Sequence, residues 1–172
     1  MSDWGIKVQL DGISPEFLEE LRKTENTVIS ELADLMYETI MSYFDQSSSL
    51  LPLKDVTKWL KGSDLVLNDT GDLKRSIQVQ KNGNKALVGV LIPKGSKGQD
   101  MEMIARVMEG GATIRVSAKM RGWFAWKGFP LDRGTTTLFV PPRPIFSKSM
   151  RTLDESIDKV AFPHITKLLE KL

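Results

Sequence analysis

The sequence predicts an α+β fold, with a small, mostly antiparallel sheet packed against a long N-terminal helix and a C-terminal helix. Three observations carry that expectation. Apolar residues recur at helical spacing from Pro15 to about Gln46. Two alternating segments flank an Asn-Gly pair, as in a hairpin. Helical spacing then returns over residues 147–172, behind the proline-rich stretch "FVPPRPIF". At 172 residues, with 41% hydrophobic and 27% charged side chains, the chain has an ordinary globular balance and is expected to form one domain over 1–172.

The elements follow in order. Trp4, Ile6, Val8 and Leu10 alternate with Gly5, Lys7 and Gln9, which describes a strand with one buried face. Ser14 is a good N-cap and Pro15 suits the first helical position. The helix that follows carries Phe17, Leu21, Val28, Leu32, Met36, Ile40 and Phe44, with Glu19 and Lys23 as an i,i+4 pair on its other face. Some thirty residues would span about 45 Å. That exceeds what a compact domain of this size requires, so part of the helix is expected to pack on another subunit.

"LKDVTKWLKG" predicts one or two helical turns stopped by Gly62. In "LVLNDTGDLKRSIQVQKNGNKALVGVLIP" a turn leads into the hairpin, and Thr70 or Asp69 can cap that turn. "PKGSKGQD" reads as a flexible loop, and "MEMIARVMEGG" as a short helix closed by two glycines. "ATIRVSA" and "TTTLFVP" are expected strands, separated by a tryptophan-rich insert at 119–134. The insert's aromatics are expected to alternate along a hairpin into a core or an intersubunit face. Pro141, Pro142 and Pro144 make a rigid extended joint into the last helix, which starts near Ser147 and which Pro163 should kink or divide.

Catalytic material is scarce. The chain has no cysteine and only one histidine, His164, so a triad or a zinc site lacks its parts. The carboxylates lie along helices as solvated faces, and neither "GDLKRS" nor "KGSKGQD" matches a phosphate-binding loop. The expectation is a protein that is not an enzyme, with no cofactor and no metal. Net charge is +2, too near neutral to argue for nucleic acid, although basic residues interleaved with Trp123, Phe124, Trp126 and Phe129 could stack bases. "MSDWGIKVQLDG" lacks the pattern of a signal peptide and no apolar run reaches 18 residues, so a soluble intracellular product with no membrane contact is expected.

Two stretches, "LNDTGDLKRSI" (67–77) and "VPPRPIFSKSM" (140–150), together resemble signatures of the tailed-phage tail-completion, or virion-morphogenesis, family. In order, the matching positions are Thr70, Gly71, Leu73, Ser76 and Ile77; then Val107, Glu109, Gly110 and Gly111; then Val140, Pro141, Arg143 and Pro144. Ile145 and Phe146 depart from the aromatic that usually follows the Arg-Pro pair, and the insert is longer than the pattern. The resemblance implies a structural protein of a phage or prophage neck, forming a ring that completes the tail and joins it to the DNA-filled head.

What the resemblance implies about partners is a homo-oligomer, hexameric in the favoured case and dodecameric in the alternative. Portal-adaptor, tail-tube or terminator proteins would flank it in the virion, after synthesis in the host bacterial cytoplasm. A portal adaptor or tail terminator ring is the near alternative, and a nucleic-acid-binding module the distant one. Arg143, Pro144, Trp123, Phe124 and Trp126 are the expected subunit or partner interface. Lys94, Lys97, Lys119 and Arg121 are expected on mobile loops that face an acidic neighbour or make non-specific contact with packaged DNA. Arg143, between two prolines, is expected to hold a carboxylate or a backbone carbonyl.

Overall fold

The computed structural model describes residues 14–46, 50–61, 66, 67 and 70–171. The expected strand at residues 4–10, Gly62 and Asp69 lie outside that set. The fold is α+β. Its first helix, α1 (Pro15–Asp45), starts as the sequence predicts, with the Ser14 hydroxyl accepting from the Phe17 amide at 3.2 Å. The expected Glu19–Lys23 pair is present at 3.3 Å.

A short α2 (Asp55–Lys61) and α3 (Asp72–Ser76) precede the hairpin of β1 (Ile77–Asn82) and β2 (Lys85–Val90). The strands pair antiparallel from Ile77 opposite Val90 to Asn82 opposite Lys85, which leaves Gly83 and Asn84 as a two-residue turn. Then come α4 (Met101–Gly110), β3 (Ala112–Arg115), α5 (Ala118–Trp126) and β4 (Thr137–Val140). β3 and β4 form a second antiparallel pair, so the strands divide into two separate two-stranded sheets.

The chain ends in α6 (Ile145–Asp154) and α7 (Ile157–Leu169). The single helix expected over 147–172 therefore starts two residues earlier and divides at Glu155 and Ser156, not at Pro163. Ser156 explains the position. Its amide bonds to Leu153 O and its hydroxyl to Thr152 O, local bonds that compete with the helical ladder. Pro163 sits exposed inside α7 and removes one backbone donor there.

The core lies at the C-terminal end of α1. Ile40 and Phe44 meet Leu50, Leu53, Leu73, Ile77, Met101, Ala105 and Ile145, all buried. α1 packs against β1, β2, α6 and α7, and α4 bridges α3, β2 and α6. The N-terminal half of α1 is at most half-buried, and the first buried residue of the helix is Ala33. That half lies alongside α7, with Lys171 2.5 Å from Glu20 and His164 Nε2 3.0 Å from Glu31. Among the described residues no helix is long and apolar enough to cross a membrane.

Candidate functional site

The three sequence motifs, each about 35 residues from the next, meet at one junction. In the first, Gly71 adopts φ 75°, a left-handed turn that opens α3. Asp72 follows, and its buried carboxylate accepts from the Ser96 hydroxyl (2.7 Å), the Thr70 hydroxyl (2.9 Å) and the Arg75 guanidinium. Hydrogen bonds from Ser96, then Thr70, then Arg75 hold this carboxyl well below its ordinary value, at about 2. Thr70 does support the turn, as expected, its hydroxyl 3.4 Å from the Asp72 amide.

Ser96 belongs to the "PKGSKGQD" segment, which is not the loose loop its composition suggested. The backbones of Lys94 and Asp100 form an antiparallel β-bridge across it, the Gly95 amide donates to Gln99 O at 2.9 Å, and the Met101 amide donates to Pro93 O at 2.9 Å. With Ser96 clipped to Asp72, this loop fixes where α4 begins, and Asp100 caps that helix on the Met103 amide at 3.0 Å.

The end of α4 carries the second motif and builds the third. Met108 O accepts from the Arg143 amide at 2.6 Å, which gives a C-terminal helix carbonyl its partner. The Glu109 carboxylate accepts from the Phe146 amide (3.0 Å), the Ser147 amide (2.8 Å) and the Ser147 hydroxyl (2.5 Å). Pro144, the N-cap residue of α6, has no side-chain acceptor, so Glu109 supplies from 37 residues away what a local cap would have supplied. Gly111 has φ 72°, and a Cβ there would meet Val140 O at 2.8 Å. Only glycine lets the chain turn that closely under the proline segment.

Arg143 is buried at 5% exposure and reaches carbonyls, not a carboxylate. Its Nε donates to Leu51 O at 3.3 Å and its guanidinium to Pro141 O at 3.4 Å. Of the two expected partners, a carboxylate or a backbone carbonyl, the described residues supply the carbonyl. Two prolines and the Met108 bond aim the side chain at the 50–54 segment, where backbone oxygens lie. Burial pushes the guanidinium's pKa down from its ordinary value. Beside it lies an apolar cavity of about 400 Å³, lined by Leu53, Leu73, Met101, Ile104, Met108 and Pro141 among others. Among the described residues no three His, Asp or Glu side chains group as a metal cage would need.

The other expected interface residues lie on an arm, residues 112–140, formed by β3, α5 and β4. Trp123, Phe124 and Trp126 sit on a helix, which corrects the hairpin expected for the insert. Ser117 caps that helix by accepting from the Met120 amide at 3.2 Å, a signal the sequence carried in Ser117 itself. Lys119 and Arg121 are likewise on α5 and not on loops. Arg121 is a structural staple: its guanidinium donates to Asp132 O at 2.8 Å, to Arg133 O at 3.3 Å and to Thr135 O, closing the return of the arm. Lys119, Lys94 and Lys97 are exposed.

No residue from 106 to 142 is buried. Trp126 is 75% exposed with the Lys127 ammonium 4.5 Å from its ring centre, and Phe139 is 68% exposed. Among the described residues one aromatic contact ties the arm to the body, where Phe129 meets Trp59 edge-on at 4.9 Å. No family model, curated protein or solved structure matches this chain.

Proposed function

We propose that this protein is a non-enzymatic structural subunit of a phage or prophage neck, forming a ring that completes the tail and joins it to the DNA-filled head. The observation that carries this reading is the convergence of the three motifs on one junction. The Thr70-to-Ile77 turn positions α4, Glu109 caps α6, and Gly111 admits the proline segment that holds Arg143. Every polar group in that junction serves to set directions: of α4, of the arm and of the last two helices. Such a joint suits a subunit whose task is to present surfaces to neighbours at constant angles. The arm adds support, because an extension with no buried residue and several exposed aromatics is what a subunit contact would cover.

The deciding experiment deletes the gene from the phage or prophage and images the particles. Filled heads and finished tails that fail to join, together with labelled protein located at the neck of complemented particles, are the expected result. Intact particles without the protein, or label elsewhere on the virion, would overturn the reading. A filter-binding assay addresses nucleic-acid binding through the arm: tight retention of single strands by a monomer would favour that function instead.

A further inference from the structure

We infer that the arm of one copy docks on the N-terminal half of α1 of a second copy, and that this head-to-tail contact is the one that repeats around the assembly. The inference rests on the ring reading above and names the surfaces that would build it.

The two regions are complementary in charge. Residues 112–140 hold Arg115, Lys119, Arg121, Lys127 and Arg133 against Asp132 alone, a net +4. α1 holds eight carboxylates against Arg22 and Lys23, a net −6, in a chain whose total is only +2. Several α1 carboxylates already have partners: Glu19 and Glu20 with Lys23, Glu20 also with Lys171, Asp34 with Lys81 and Asp45 with Lys74. Glu25 has none among the described residues, and its position is informative. Leu18, Leu21 and Glu25 follow an i, i+3, i+7 pattern, so they share one face of the helix. Both leucines are exposed, at 42% and 39%. The face thus offers two apolar side chains beside an unpaired carboxylate.

The arm offers the matching set, with Trp126 exposed and the Lys127 ammonium resting on it. The arm's elements are not among the main packing partners of α1 within the copy, which are β1, β2, α6 and α7. A contact between two different patches of the same chain is heterologous, and its repetition closes into a ring when the rotation permits. Nucleic acid is the other ligand a basic aromatic arm could take. The acidic α1 gives that arm a complementary protein surface, which favours a second copy as the occupant.

The test uses zero-length carboxyl–amine cross-linking of the full chain, with isotopically labelled and unlabelled copies mixed, in solution and in particles. The expected product joins Glu25 of one copy to Lys119 or Lys127 of another. Glu25→Lys alone, or Lys127→Glu alone, should reduce oligomer yield about tenfold by setting like charges together. The double variant should recover most of it, which a merely structural role for either residue would not produce. Glu25 is exposed and Lys127 half-buried, so Glu25→Lys should leave the melting temperature unchanged and Lys127→Glu should lower it only slightly.

Cross-links between copies at other positions, with yields indifferent to the reversals, would overturn this interface and leave the ring reading standing. A cross-link of Glu25 to Lys7 within one copy would assign the face to the chain's own N-terminal segment and overturn the proposal. Loss of DNA retention in Lys127→Glu, with Glu25→Lys neutral, would assign the arm to nucleic acid. Absence of any copy-to-copy contact, even in particles, would remove the ring reading as well.

Discussion

The body around Ile40 and Phe44 and the arm at residues 112–140 have similar local chemistry and opposite burial. Each has an antiparallel strand pair and a helix capped by a serine at its start. Yet Phe44 is 1% exposed while Trp126 is 75% exposed, and no arm residue is buried. The body is held by removal of apolar surface from water. The arm is held by ladder bonds, a serine cap, the Arg121 staple and one aromatic edge contact with Trp59. Aromatic content therefore says little about where a core lies. Burial in this chain follows from which elements meet α1, and β3, α5 and β4 are not among its main partners.

The largest effect expected from this contrast is in the body. Phe44→Ala should cost about 3–5 kcal/mol in urea unfolding, the range for truncating a fully buried phenylalanine. A loss below about 1 kcal/mol would mean that the core is not centred on this end of α1. Next is Arg143→Ala. Its partners are carbonyls, so no carboxylate is stranded, and the cost should be about 2 kcal/mol from unpaired acceptors and lost packing. Arg143→Lys should recover only part of that, because a single ammonium cannot reach Leu51 O and Pro141 O in the planar geometry of a guanidinium. Full recovery by lysine would show that charge alone matters at this position.

Acid unfolding sharpens the comparison at the joint that sets α4. In the folded chain Asp72 titrates at about 2, below its ordinary 3.8. Between those values the unfolded chain takes up a proton that the folded chain refuses. The stabilisation from Asp72 is thus complete above pH 3.8 and is lost as pH falls from 3.8 toward 2. Asp72→Asn should be less stable at neutral pH and show a flatter acid limb in that window. Equal slopes for the two proteins would remove Asp72 as the anchor of the 93–100 loop.

Smaller effects follow. Ser149 is fully buried on α6 and its hydroxyl has no hydrogen-bond partner among the described residues, so Ser149→Ala should stabilise the body by about 1 kcal/mol. A destabilised variant would indicate a bridging water at that hydroxyl. The arm should respond least. Trp126→Ala should shift stability by about 0.5 kcal/mol or less while reducing assembly. A large drop in melting temperature would make the arm part of the body, and the contrast would fail.

Much of this was legible in the residues. Ser14 and Pro15 mark the start of α1, Met101 and Ala105 fall on the buried face of α4, and the two strand pairs form within the segments expected to be strands. The junction was legible only in its parts. Glu109 reads as part of a motif but not as a cap, because nothing in its neighbourhood announces a helix that starts at residue 145. Its role depends on a fold that returns Phe146 and Ser147 to the end of α4. Arg121 reads as a loop cation for the same reason, since its three carbonyl partners lie 11 to 14 residues onward.

What the sequence determined by itself is local: caps, turns, helical and strand periods, and the stiffness of Pro141, Pro142 and Pro144. These depend on bonds within about four residues, and such bonds form wherever the chain lies. What only the tertiary structure decided is which polar group meets which, and which apolar residue leaves water. The same tryptophan-rich segment could have formed a core, and it stays exposed because no second layer among the described residues covers it. The same arginine could have met a carboxylate, and it meets Leu51 O because the 50–54 segment passes there. Burial and long-range pairing depend on the whole path of the chain, and no window of sequence contains that path.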